Sequence, residues 1–283
     1  MPLVWKLLAD SLLGSAVINL SGGNCHICRT FRHLLTSLLG YSREVLTNEK
    51  GFEQRKSLLD DLLKKCWELD IVTVIAAGND GDFPSRDLKD SIPACLGTPD
   101  NALITVGAAT KDGQRHHLTT REVKGGAGSI TVWAKGDMPT YCAAREGTGS
   151  QKLEGTSLAA AQVSGLAAYF LSLSMNELPV PKGTTMDPTS AMYKLGPDLH
   201  VEGKVAKAVK EYVKNMSHVH SAGGVNMAYN GAEDDVCKAV RSESIPMKRA
   251  TAPKKNAYGL TPFIVSGKLV GTGPNLVRLQ ALI

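Results

Sequence analysis

Ile71-Val72-Thr73-Val74-Ile75-Ala76-Ala77-Gly78-Asn79-Asp80-Gly81 is the stretch on which the fold turns. Its first seven residues are a continuous apolar, largely β-branched run that leaves no face for water, which predicts a central parallel strand covered on both sides. Just upstream, Leu58, Leu59, Leu62, Leu63, Cys66 and Trp67 mark one face of a helix over Glu53 to Leu69, with charges on the other. Before that, Ala16-Val17-Ile18-Asn19-Leu20-Ser21 reads as a short buried strand, and Leu3, Leu7, Leu8 and Leu12 recur at helical spacing up to Gly14. Downstream, Ala102 to Gly107 and Ser129 to Ala134 read as a third and a fourth strand. Strands alternating with amphipathic helices imply right-handed crossovers, hence an α/β fold on a doubly wound, mostly parallel sheet.

Beyond the fourth strand, Leu158 to Leu173 is small and apolar on nearly every side, with Gly165 in its interior. A helix without a polar face is expected to be buried in the middle of a domain. After Leu178 the character changes: Pro179, Pro181, Gly183 and Pro188 break the chain, and a mixed polar helix follows around Val201 to Asn215. Residues 1–178 therefore read as one layered unit and 179–283 as its C-terminal continuation, ending in a loosely packed extension over Ser244 to Pro274.

A chain of 283 residues, 43% hydrophobic, is long enough for one large core. Its 28 glycines and 5% aromatic residues suit a fold with many tight turns. The net charge of +5 is scattered, without the basic stripe of a nucleic-acid binder. Lys6 and Asp10 interrupt the apolar N-terminal residues, so no stretch is long enough to span a bilayer and no export signal is evident. Cys25 and Cys28 have no second such pair, and His218 and His220 lie far along the chain, so no metal site is expected and the two thiols read as unrelated loop residues.

Two segments carry chemistry. Asn79 follows the central strand at its carboxyl end, where open α/β sheets place their sites, and its amide can donate to an oxyanion. Alone, Asn-Asp-Gly after a strand is an ordinary turn. The second segment is Glu154-Gly155-Thr156-Ser157-Leu158-Ala159-Ala160-Ala161-Gln162-Val163-Ser164-Gly165. A serine at a helix entry can simply cap it. Gly155 before it and the small residues after it are not explained by capping, and a helix N-terminus favours the negative charge that develops in acyl transfer.

Val-Ile-Asn-Leu-Ser with Gly-Gly after it, then Ala-Ala-Gly-Asn-Asp-Gly, then Gly-Thr-Ser-Leu-Ala-x-x-x-Val-Ser-Gly, resembles in order the second part of the subtilase domain, over about Leu3 to Leu173. The resemblance implies that Ser157 is the nucleophile and Asn79 the oxyanion-hole amide. It implies that Ser21, Gly22 and Gly23 form the edge that pairs with an extended polypeptide substrate, and that Ala76, Ala77 and Gly78 wall the pocket for the side chain before the scissile bond. It implies no organic cofactor, leaves structural calcium open at sites the sequence does not mark, and points to secretion. The oligomeric state is not legible.

The chain departs from the family in its triad. No Asp is followed by Thr-Gly or Ser-Gly, and none of the seven histidines (His26, His33, His116, His117, His200, His218, His220) is followed by glycine. Ala161 stands where the family has proline, and the glycine pair after Ser21 has lost its leucine. A serine hydroxyl is a poor nucleophile near neutral pH without a base, so the expected function is a subtilisin-like serine endopeptidase by lineage, inactive as this chain. The alternative is a pseudopeptidase that holds peptides or a partner in the remnant cleft. A nucleotide binder is disfavoured, since Gly125-Gly126-Ala127-Gly128 and Gly271-Thr272-Gly273 stand in the wrong context for a phosphate loop. A sheet without its first strands is expected to aggregate through its open edge.

Overall fold

The structure, a computed structural model, describes residues 17–20, 52–122, 128–141, 150–181 and 190–231. In chain order these form β1 (Val17–Leu20), α1 (Phe52–Glu68), β2 (Val72–Ala76), β3 (Leu103–Ala109), β4 (Val132–Lys135), β5 (Asp137–Tyr141), β6 (Ser150–Glu154), α2 (Thr156–Ser172), α3 (Ala191–Asp198), α4 (Val205–Met216), β7 (His218–Val219) and β8 (Asn226–Met227). The leucine repeat from Leu3 to Leu12, Cys25, Cys28 and the stretch 244–274 lie outside the described residues.

One sheet has the order β1-β2-β3-β4-β8-β7. Its neighbours are parallel except β7 and β8. Asn19 pairs with Val74 and Val74 with Ile104, which puts β2 inside the sheet, as its composition requires. Successive side chains of a strand point to opposite faces. Val72 and Val74 accordingly enter the cluster formed with α2 and α4, whereas Ile75 and Ala77 enter the one formed with α1. Thr73 is buried too, and its hydroxyl accepts a hydrogen bond from the Trp67 indole at 2.8 Å, so the single polar side chain of β2 is satisfied. Each fully buried Val or Ile contributes about 1.5–3 kcal/mol relative to exposure, so this strand and β3, buried at all seven positions, are central to the core. The expected α/β architecture is present, with helices on both faces of a mostly parallel sheet.

On one face, α1 buries Leu59, Leu62, Leu63 and Cys66. On the other, α2 buries Ala159, Ala160, Val163, Ala167 and Phe170. The expectation that α2 is enclosed all round holds on one side only, because Ala161, Gln162, Gly165 and Tyr169 are exposed. The chain after Leu178 shares this core: Met192, Leu199, Val209, Tyr212, Val213 and Met216 pack with Val72, Val74 and Ile104. Sequence reading missed α3, whose interior holds Gly196 and Pro197, and the antiparallel β5–β6 hairpin.

Two buried polar residues pin α4. Asp70, in a left-handed conformation (φ 56°) and 2% exposed, accepts from the N–H groups of Gly203 and, at 3.0 Å, Val205. It thereby caps a helix whose own N-cap residue, Lys204, makes no side-chain capping bond. Lys210 lies on the buried side of α4, 2% exposed, and its ammonium donates to the carbonyls of Thr98 and, at 2.8 Å, Asn101. Burial pushes its pKa down to about 8.

Replacing Asp70 by Ala leaves the buried Val205 N–H at the start of α4 without its acceptor and releases the exposed Gly203 from its bond. It is expected to cost about 1–3 kcal/mol, read as a lower urea midpoint with unchanged m-value. Lys210 gives a pH signature. Its folded pKa of about 8 lies below the unfolded value of 10.5, so between these the unfolded chain holds more protons and stability rises with pH. Wild-type stability measured against Lys210→Met should therefore climb from about pH 8 to about pH 10.5, and a flat difference would show that Lys210 is not desolvated.

Candidate active site

The carboxyl end of β2 runs straight into the segment that holds Asn79. Ala76 ends the strand, and Ala77 keeps the ladder through its N–H to the Val106 carbonyl at 2.9 Å. Gly78 then turns with φ +99°, and a β-carbon there would lie 2.7 Å from the Thr120 hydroxyl. Its carbonyl accepts from Thr120 N–H at 3.0 Å, Asp80 N–H donates to the Thr120 hydroxyl at 3.1 Å, and Gly81 N–H donates to the Leu118 carbonyl at 2.8 Å. The loop that presents Asn79 is thus laced along one side to residues 118–120.

Its other side is held by the start of α2. Gly155 precedes the helix with φ +140°, a conformation that favours glycine. A β-carbon on it would sit 2.9 Å from Asn79 Nδ2, so glycine is needed for space as well as for backbone geometry. Thr156, fully buried, makes three contacts. Its N–H and its hydroxyl each donate to Asn79 Oδ1 at 2.9 Å, and its hydroxyl oxygen lies 3.2 Å from the Gly78 N–H, which donates to it. A peptide N–H can only donate, so the carboxamide atom facing Thr156 is the oxygen. The NH2 end of Asn79 is therefore turned away from Thr156.

Ser157 comes next, half-buried in the first turn of α2, where backbone N–H groups have no intrahelical acceptor and the helix dipole is positive. The structure thus brings Asn79 against the residue that adjoins Ser157, although 77 residues separate Asn79 from Thr156. Ala76, Ala77 and Gly78 lead into the same loop. Ser21, Gly22 and Gly23 lie outside the described residues, as do His26 and His33.

Sequence reading did not assign the Thr156 hydroxyl or Thr120, although both stand beside glycine-permitted turns. Nor did it find the stacked pair of His116 and His117, with ring centroids 4.6 Å apart. His116 is buried, its Nδ1 accepts from Leu118 N–H at 3.4 Å and its Nε2 lies 3.7 Å from Glu154. His117 lies 3.8 Å from Asp82. Asp80 pairs with Arg86 at 3.2 Å on the surface, a contact worth little in water. Among the described residues no three His, Cys, Asp or Glu side chains converge as metal ligands. The carbonyls of Thr98 and Asn101 do converge, but on the Lys210 ammonium, so that cradle does not fit a calcium ion.

Residues 12–221 match the family model described as the Subtilase family. The chain belongs to the subtilases. Among curated subtilases it is similar to Subtilisin-like protease 2 of Arthroderma otae, at 34% identity over 126 residues. The same protein of Trichophyton equinum is 35% identical over 126 residues. Each match covers 44% of this chain and 26% of the relative, so the matched part is about a quarter of those proteins. Among solved structures, a cold adapted subtilisin-like serine proteinase aligns at 16% identity with a TM-score of 0.44, covering 81% of this chain and 59% of that one.

In this subtilase the Thr156 hydroxyl can be tested apart from its bulk. Thr156→Val keeps the shape but removes one donor to Asn79 Oδ1 and the acceptor for Gly78 N–H, and is expected to cost about 1–3 kcal/mol. The Asn79 carboxamide resonances should shift with it. Thr156→Ser keeps both bonds and should be close to wild type on both readouts.

Proposed function

We propose that this chain carries the nucleophile and oxyanion-hole half of a subtilisin-like serine endopeptidase, exported from the cell, that acts on polypeptides bound in extended form. The observation that supports it most is the double donation from Thr156 to Asn79 Oδ1, which fixes the orientation of the Asn79 carboxamide against the residue that adjoins Ser157. An oxyanion donor must be pre-aimed, since a side chain that has to reorient during the reaction forfeits most of its electrostatic benefit.

In this reading Ser157 Oγ attacks the scissile carbonyl and passes its proton to a base. The oxyanion is met by Asn79 Nδ2 and the Ser157 N–H at the start of α2. Collapse of the tetrahedral intermediate breaks the C–N bond, the base returns its proton to the leaving amine, and water then releases the acyl group. Ser21 to Gly23 pair with the substrate backbone, and Ala76 to Gly78 line the neighbouring side-chain pocket. The 283 residues contain neither an Asp-Thr/Ser-Gly nor a His-Gly-Thr-His segment, so no residue of this sequence is assigned as the base or its orienting carboxylate. The 283 residues by themselves are inactive. The pre-aimed Asn79, combined with the absence of those motifs, also fits a pseudopeptidase that holds an extended peptide without cutting it.

An organophosphonate probe separates the readings. The chain alone should leave Ser157 unlabelled, and addition of a subtilase segment bearing the Asp and His motifs, fused or co-refolded, should restore labelling that Ser157→Ala abolishes. Labelling without the added segment would contradict the inactivity. No labelling in the complemented protein would favour the pseudopeptidase.

A further inference from the structure

We propose that Asn215 is an acceptor for an N-linked glycan, carried on the exposed side of α4. The proposal rests on export, as the functional reading does, but not on the chemistry of Ser157. Asn215-Met216-Ser217 has the acceptor spacing with no proline between. In the fold this tripeptide is split between core and solvent. Met216 is buried with Val209, Tyr212 and Val213, while Asn215 is exposed beside the exposed Lys214. A glycan on Asn215 would thus point away from the contacts that hold α4 to the sheet.

The backbone at this point also suits the acceptor. The helix ends at Met216, and Ser217 is extended (φ −72°, ψ 150°). Its N–H and hydroxyl both donate to the Lys214 carbonyl, at 3.1 and 2.6 Å. Helix ends open at lower cost than helix interiors, so the last turn is where Asn215 to Ser217 reach an extended acceptor form most readily, with Met216 the one buried side chain that must move. The chain holds a second acceptor tripeptide, Asn19-Leu20-Ser21. Asn19 is exposed as well, but its backbone is paired with Val74 in the β1–β2 ladder, so lifting it into an acceptor site requires freeing that strand from the sheet. The two sites are unequal in the fold: both side chains are exposed, but Asn215 stands at a helix end and Asn19 within a strand ladder.

In the modification, the Asn215 carboxamide nitrogen loses a proton and bonds to the anomeric carbon of an oligosaccharide. The donor is the lipid-pyrophosphate-linked oligosaccharide of the secretory pathway, whose anomeric carbon–oxygen bond breaks and whose lipid pyrophosphate leaves.

The experiment expresses the full chain behind a cleavable secretion signal in yeast and compares intact mass before and after an endoglycosidase. Total cell protein is analysed, because glycan transfer precedes export and is then read even for a variant that folds poorly. Wild type and Asn19→Gln should each lose the mass of one glycan. Asn215→Gln and Ser217→Ala should lose nothing, and Ser217→Thr should restore the glycan. Absence of any sensitive mass in wild type would overturn the proposal, as would a glycan lost in Asn19→Gln and kept in Asn215→Gln. None of these results bears on phosphonate labelling of Ser157, so the two readings fail separately.

Discussion

Burial of β2 on both faces is the constraint from which the rest follows. A strand that is apolar at every position but Thr73 cannot sit at a surface, so one face must be covered by α1 and the other by α2 and α4. The strand is parallel to both neighbours, so its hydrogen bonds go to β1 and β3 and its carboxyl end opens into a loop rather than a hairpin. That loop is where Asn79 stands. Its position is thus a by-product of core packing.

Packing alone would leave α4 poorly specified, since an amphipathic helix can slide along an apolar face at little cost. Asp70 and Lys210 remove that freedom. Each is buried, and each is held by groups distant in sequence: Asp70 by the start of α4, and Lys210 by the turn before β3. A buried charge is costly unless its partners are in place, so both residues penalise every register of α4 except the one observed. Burial lowers the pKa of Lys210, the direction expected of a desolvated ammonium.

The same logic works on a smaller scale at the site. Gly78 and Gly155 both have positive φ and no room for a β-carbon, which lets the Asn79 loop and the start of α2 approach within hydrogen-bond distance. Thr156 then uses its N–H and both functions of its hydroxyl to fix that approach. Asn79 is oriented by the backbone N–H and the buried hydroxyl of Thr156, so its carboxamide is held in one orientation.

Much of this was legible in the residues. The apolar runs placed β1, β2, β3, α1 and α2 within about two residues of their observed bounds, because burial on a sheet face or helix stripe leaves a period that needs no partner to be read. The order of Asn79, Gly155 and Ser157 likewise marked the family. The polar partners were not legible: Thr156 and Thr120 look like any small residue beside a glycine, Asp70 like a turn residue, and Lys210 like a solvated charge on a mixed helix. The exposed side of α2 was misread because its Ala161 and Gly165 have the composition of a core face and yet are exposed. Periodicity records which residues leave water, and that is a local property. Which buried donor meets which acceptor depends on segments 77 to 135 residues apart, as in Asn79 with Thr156 and Asp70 with Val205, and only the closed fold decides it.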